Sequence, residues 1–240
     1  MLLRRMIEHV KAQNWTAVGI DFVIVVTGVF MGIQLGNWNE ARNQSREERS
    51  IVLRLLNDAD ESAVEIEQAI DWTAEALDIA VRAHETLQLD AADQATAEQL
   101  RKDLDRVGSW RDERFVRTTL DQIVNNGDLS LIRSQSLQDA IAAHREAIAS
   151  TTKAFTNIGD VSLWQRIEMH DRLDFRFTSS GYEIITSTPD LLADPELERH
   201  LAQFGFVYLQ FLRFHRQSLE RNAEYRAALA AYADEKGWLE

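Results

Sequence analysis

The chain of 240 residues contains no cysteine. Disulfides, thiolate catalysis and cysteine-ligated metals are therefore excluded; the compartment is not, since a reducing cytosol and a bacterial periplasm both suit a chain without thiols. Proline is nearly absent, with only Pro189 and Pro195, and glycine numbers ten. Both residues interrupt helices, so their scarcity predicts long helices with few breaks. Positive charge is also in short supply, with 26 Lys and Arg against 39 Asp and Glu. Residues 1–38 hold Arg4, Arg5 and Lys11 against Glu8 and Asp21, so the remainder carries 23 basic and 37 acidic residues, a balance of −14. Such a surface repels phosphate backbones and anionic headgroups, which excludes nucleic acid as a partner of this region.

The longest apolar run lies near the amino terminus. From Trp15 to Trp38 is about 34 Å of helix at 1.5 Å per residue, enough to cross a hydrocarbon layer about 30 Å thick. The stretch FVIVVTGVFMGI carries no charge. Trp15 and Trp38 fall where amphipathic indoles anchor a span at its interfaces, and Asp21 and Gln34 lie shallow enough to reach water or headgroups. A buried core helix competes with this reading because the strictly apolar run is short. A cleaved signal fits less well, since GIQLGNWNE offers bulky, polar residues where a cleavage site needs small ones. Ahead of the run, Leu2, Leu3, Met6, Ile7 and Val10 share one helical face and Arg4, Arg5, Glu8 and Lys11 the other, the pattern of a segment lying along a membrane surface. Gly28, Gly32 and Gly36 recur every fourth residue and form a stripe along which another helix backbone can approach closely.

These residues also carry a resemblance. DFVIVVTGVFMGIQLGNWNEAR resembles the amino-terminal signature of an uncharacterised bacterial family of single-pass, N-terminally anchored helical membrane proteins. In that family an acidic residue opens the span, a VVxGVFxGxQ core follows and NWNEAR closes it. The matching positions are Asp21, Val25, Val26, Gly28, Val29, Phe30, Gly32, Gln34, Asn37, Trp38, Asn39, Glu40, Ala41 and Arg42. A weaker likeness lies in TTLDQIVNNGDLSLIRSQSLQDAI, and the two together cover about a quarter of the chain. The resemblance implies an inner-membrane anchor with a periplasmic helical domain, and no activity. The flanking Lys and Arg counts are tied, so the short basic lead is the other argument for a cytoplasmic amino terminus.

Beyond the span the pattern is helical. Val52, Leu56, Ala59, Ala63, Ile66, Ile70, Thr73, Leu77, Ala80, His84 and Leu87 alternate steps of four and three, which predicts the seam of one long helix. TAEQLRKDLDRV gives a shorter helix ending before Gly108. A third spans Asp112 to Asn126 and stops at Gly127. Ser136 and Asp139 have capping-box spacing for a fourth, which runs to about Leu173 with a candidate break at Gly159. A small hairpin is expected near 173–187. Thr188 and Asp194 precede the two prolines as helix starts. The last helix carries the seam Leu197, Leu201, Phe204, Tyr208, Phe211, His215, Tyr225, Leu229 and Tyr232. The expected fold is thus all-α: an amphipathic interfacial segment over 1–15, a transmembrane helix over 16–38, and an acidic antiparallel bundle of four to five helices over 39–240.

No catalytic grouping emerges. Glu-x-x-His, His-Glu-x-x-His, a glycine-rich phosphate loop and a Gly-x-Ser-x-Gly elbow are all absent. His84 and His215 fall on seams, where packing explains them. His170 and Asp174 share a face but lack further ligands. The aromatic run FGFVYLQFLRFH has the helical period of a core. The reading is a non-enzymatic, membrane-anchored interaction or accessory protein with no cofactor or metal. Its partners are the bilayer and, through Gly28, Gly32 and Gly36, a second copy or another membrane protein. The alternative is a periplasmic ligand-binding, sensor-like bundle acting through a partner's span.

Overall fold

The computed structural model describes residues 15–179 and 181–239, with side chains for Ile20 and from Phe22 onward. The amphipathic lead before Trp15 lies outside the described residues. The order is α1 (Trp15–Leu87), α2 (Gln94–Arg106), α3 (Thr118–Asn126), a 3-10 turn (Asp128–Leu131), α4 (Gln135–His170), β1 (Phe175–Thr178), β2 (Gly181–Ile184), α5 (Thr188–Leu192) and α6 (Pro195–Glu235). The class is all-α with one small antiparallel hairpin, in which Phe175 faces Ile184 and Thr178 faces Gly181. The chain divides into two compact units, 1–50 and 51–240.

In the first unit α1 is uninterrupted, and its large apolar side chains from Phe22 to Leu35 are exposed. This is the one helix among the described residues long and apolar enough to cross a membrane.

The second unit is a bundle whose four positions alternate in direction. Hydrogen bonds and ion pairs give the register. Arg82 meets Asp103, Arg106 meets Glu75, Arg111 meets Gln68 and Arg54 meets Gln122, so the run α2–α3 descends antiparallel along α1. On the neighbouring side Arg226 pairs with Asp60 and Gln88 with Glu198, which sets α6 antiparallel to α1. The stacked pairs Phe155–Phe211 and His144–Tyr225 set α4 antiparallel to α6.

The second position is not one helix. The expected helix from Asp112 starts only at Thr118, and residues 107–117 are without helix or strand. A non-helical backbone inside a bundle must find partners for its polar groups, and long-range side chains supply them. The Tyr208 hydroxyl accepts from Gly108 N at 2.9 Å and donates to Ser109 O at 3.0 Å. Ser62 Oγ accepts from Val116 N at 2.9 Å, and where α3 begins Asp58 Oδ2 accepts from Thr119 N, in its first turn, at 2.8 Å. Gly108 (φ +81) makes the turn out of α2, and an added Cβ there would stand 2.9 Å from Arg166 Cγ.

Other boundaries differ in detail. The residue that caps α4 is Ser134, accepting from Leu137 N, rather than Ser136. Gly159 does not break α4; it lies against Trp110, whose Nε1 would be 3.3 Å from an added Cβ. Ser187, not Thr188, caps α5, whereas Asp194 caps α6 ahead of Pro195 as the sequence suggests.

The seam of α1 also moved. Val52, Leu56, Ala59, Ile66, Thr73, Ala80 and Leu87 are buried as expected. The alternate set, however, is Leu55, Ser62, Ala69, Ala76 and Ala83, while Ala63, Ile70, Leu77 and His84 are only half-buried. Small side chains at those positions let neighbouring backbones come close, and the bulkier residues flank them. On α6 the expected seam is buried throughout, and Ser218 and Asn222 fill its gap. The interior holds two apolar cores. One gathers Ile79, Leu104, Phe155, Met169, Phe204 and Phe211; the other gathers Val52, Leu55, Ile123, Ile141, Ile148 and Leu229.

Candidate functional site

Gly28, Gly32 and Gly36 lie on the exposed helix of the first unit, and nothing stands within 4 Å of an added Cβ at any of them. The stripe is open. Trp38 is 63% exposed, with the Arg42 guanidinium 5.7 Å from its ring centroid, a cation–π distance. Gln34, Asn37, Asn39 and Glu40 are exposed, and Glu40 accepts from Gln44 at 3.0 Å. Trp15 opens α1 and Asp21 lies within it, but their side chains are outside the described residues.

Within the bundle the structure assembles a polar layer that local spacing does not predict. Glu113, on the non-helical segment, has a side chain 2% exposed. Its Oε2 lies 2.9 Å from His215 Nδ1, and its Oε1 accepts from Ser218 Oγ at 2.7 Å. One turn further along α6, Asn222 donates to Ala59 O at 2.8 Å. Phe155 stacks on the His215 ring at 4.8 Å. All these groups are sealed from solvent, so they hold elements together and offer no surface to a substrate. Some 100 residues separate Glu113 from its partners. The only sequence signal is the polar pair Ser218 and Asn222 on seam positions of α6.

A second arrangement is open to solvent. His144 stacks on Tyr225 with ring centroids 3.9 Å apart, and Phe115 meets it edge-on at 6.2 Å. Burial pushes the His144 pKa down to about 4, so the imidazole is neutral at ordinary pH. It borders a cleft of about 510 Å³ with Ala140, Ala143, Ala147, Arg221 and Glu224. A third feature is a trough between α1 and α6, lined by Val81, Phe206 and Leu209.

His170 packs on Phe175, and burial, followed by the nearby Arg166, lowers its pKa. Asp174 uses its backbone N–H to bond Thr186. Among the described residues no group of three or more His, Asp or Glu is arranged to hold a metal ion. Compared with protein-family models, curated proteins and solved structures, the chain matches none.

Proposed function

We propose that this chain is a non-enzymatic, membrane-anchored accessory protein whose bundle, residues 51–240, serves as an interaction module. The observation that carries the reading is the run of exposed apolar side chains on α1: Ile20, Phe22, Val23, Ile24, Val25, Val26, Val29, Phe30, Met31, Ile33 and Leu35. Each large apolar side chain left in water forgoes roughly 1.5–3 kcal/mol, so a stretch of this length calls for a lipid environment. Its open glycine stripe suits contact with a second helix in the bilayer, from another copy or another membrane protein.

The basic lead and the resemblance to single-pass anchored proteins support a bacterial inner membrane, with the amino terminus cytoplasmic and residues from about Asn39 periplasmic. Reporter fusions at Glu240 test the orientation: an active cytoplasmic reporter with a silent periplasmic one reverses it. Co-purification in mild detergent tests the function, and failure to recover any stoichiometric partner, self or other, overturns it. Replacing Gly32 with isoleucine should keep insertion but weaken association by about 1 kcal/mol, while a Val29 substitution should not. Equal association of both variants with the parent removes the stripe from the reading.

The cleft beside His144 favours a second reading, a ligand-binding bundle that signals through a partner's span. A small molecule retained through purification and lost on His144→Phe would support it over the first.

A further inference from the structure

We propose that the trough between α1 and α6 docks one amphipathic helix of a second protein, with carboxylates in that helix's amino-terminal half meeting Arg213 and Arg216. This rests on the interaction-module reading and gives it a surface and a partner chemistry.

Helix α6 carries two parallel stripes. The first is the buried seam from Leu197 to Tyr232. The second, Ala202, Gly205, Leu209 and Arg216, with the buried Leu212 at its inner edge, repeats the same alternation of three and four, which is the spacing of a face that packs against another helix. One wall of this second face is α1, at Leu77, Ala80 and Val81; the other side is open. Two adjoining cavities share Phe206 and Leu209 and so form one trough: the first, of about 510 Å³, lies between α1 and α6, and the second, of about 690 Å³, continues along the face of α6 alone. Phe206 is 62%, Leu209 53% and Val81 45% exposed. At Gly205 nothing stands within 4 Å of an added Cβ, so the floor admits a side chain from outside. From Leu201 to Glu220 the trough is about 29 Å long, the length of a helix of about 20 residues.

Charge selects the occupant. The region beyond residue 38 carries a balance of −14, yet one end of the trough presents Arg213 and Arg216, and neither has an ion-pair partner among the described residues. The other end presents Glu85, beside the pair His84–Glu198 at 3.8 Å, and Glu220 lies beyond the arginines. A helix with carboxylates in its first half and basic residues in its second matches both ends and complements its own dipole. Because α1 and α6 are antiparallel, such a helix runs parallel to α1. A second copy of this chain docked side by side in the same direction would set Arg213 and Arg216 against themselves, and like charges in register repel.

The test uses the full chain in mild detergent and two fluorescent peptides of about 20 residues with a Leu/Ala stripe at heptad spacing. One has Glu in its first half and Lys in its second; the other has the signs exchanged. The first should bind saturably, and Leu209→Glu should weaken it by about tenfold or more. Arg213→Glu with Arg216→Glu should weaken the first peptide and strengthen the second. All three positions are on the outer face of α6, and unchanged circular dichroism checks that the variants fold. No saturable binding, or binding indifferent to Leu209→Glu, overturns the proposal. So does a photocrosslinker at Phe206 that joins two copies of the chain. A partner that still co-purifies while the trough binds neither peptide refutes the trough alone; recovery of no partner refutes the function.

Discussion

Glu113→Ala removes the carboxylate that joins the non-helical segment to His215 and Ser218 of α6. In the native bundle its carboxyl oxygens meet His215 Nδ1 at 2.9 Å and Ser218 Oγ at 2.7 Å, and the His215 side chain is 0% exposed. Truncation leaves a buried imidazole nitrogen and a buried hydroxyl without partners, and each such group costs about 1–3 kcal/mol. Breaking a buried His–carboxyl pair costs about 3–5 kcal/mol by comparison with similar cases, so about 4 kcal/mol is the expected loss. In a unit of this size, with about 2–4 °C per kcal/mol, the melting temperature should fall by about 8–16 °C. The readout is denaturant and thermal unfolding of the full chain in mild detergent, followed by circular dichroism and tryptophan fluorescence. The double variant Glu113→Leu with His215→Leu should recover much of the loss, because it removes both ends of the interaction and fills the same space. A Glu113→Ala variant within about 1 kcal/mol of the parent would refute the reasoning, since only solvent reaching the layer could soften the loss that far.

Gly108→Ala should destabilise by about 1–2 kcal/mol, because φ +81 strains an L-residue and the new methyl presses on the Arg166 side chain; a shift in denaturation midpoint checks it. His144 makes stability fall in acid. Its folded pKa of about 4 lies below the ordinary 6.5, so the unfolded chain binds the extra proton between those values. The contribution is complete above about pH 6.5 and is lost as pH falls towards 4, amounting to about 3 kcal/mol, and His144→Phe should flatten that part of a pH–stability curve. Residues 46–240 alone should fold as a soluble helical protein, because the apolar cores lie after residue 50; a broad, non-cooperative melt would show dependence on a partner or on lipid.

Periodicity made the long elements legible. The α6 seam from Leu197 to Tyr232 is buried at every position read from the sequence, because large apolar residues at heptad spacing admit one face only. On α1 the same method found half the seam. It followed bulk to Ile70 and Leu77, whereas the innermost positions are Ala69, Ala76 and Ala83, which carry almost no hydrophobic signal individually. Alanine marks a close approach only once a neighbour is known, and the neighbour here is α2 with the segment after it. The helix expected from Asp112 failed for a related reason: DERFVR has ordinary helical composition, and the tertiary partners Ser62, Tyr208 and His215 hold the segment before Thr118 out of the helix.

The same logic explains why the candidate sites divided as they did. Gly28, Gly32 and Gly36 were visible because all their information lies within nine residues of one helix. Glu113, His215 and Ser218 were not, since their proximity is created by the register between a connecting segment and a helix 100 residues later. The trough at Val81, Phe206 and Leu209 was hidden more deeply. Its aromatic and aliphatic residues sit inside FGFVYLQFLRFH, where Phe204, Tyr208 and Phe211 account for a core on their own. Only the solved register separates those three, which point inward, from Phe206 and Leu209, which do not. An apolar run richer than one helical face can bury is therefore the sequence-level sign of a second face, and in α6 that surplus falls beside Arg213 and Arg216, which have no ion-pair partner among the described residues.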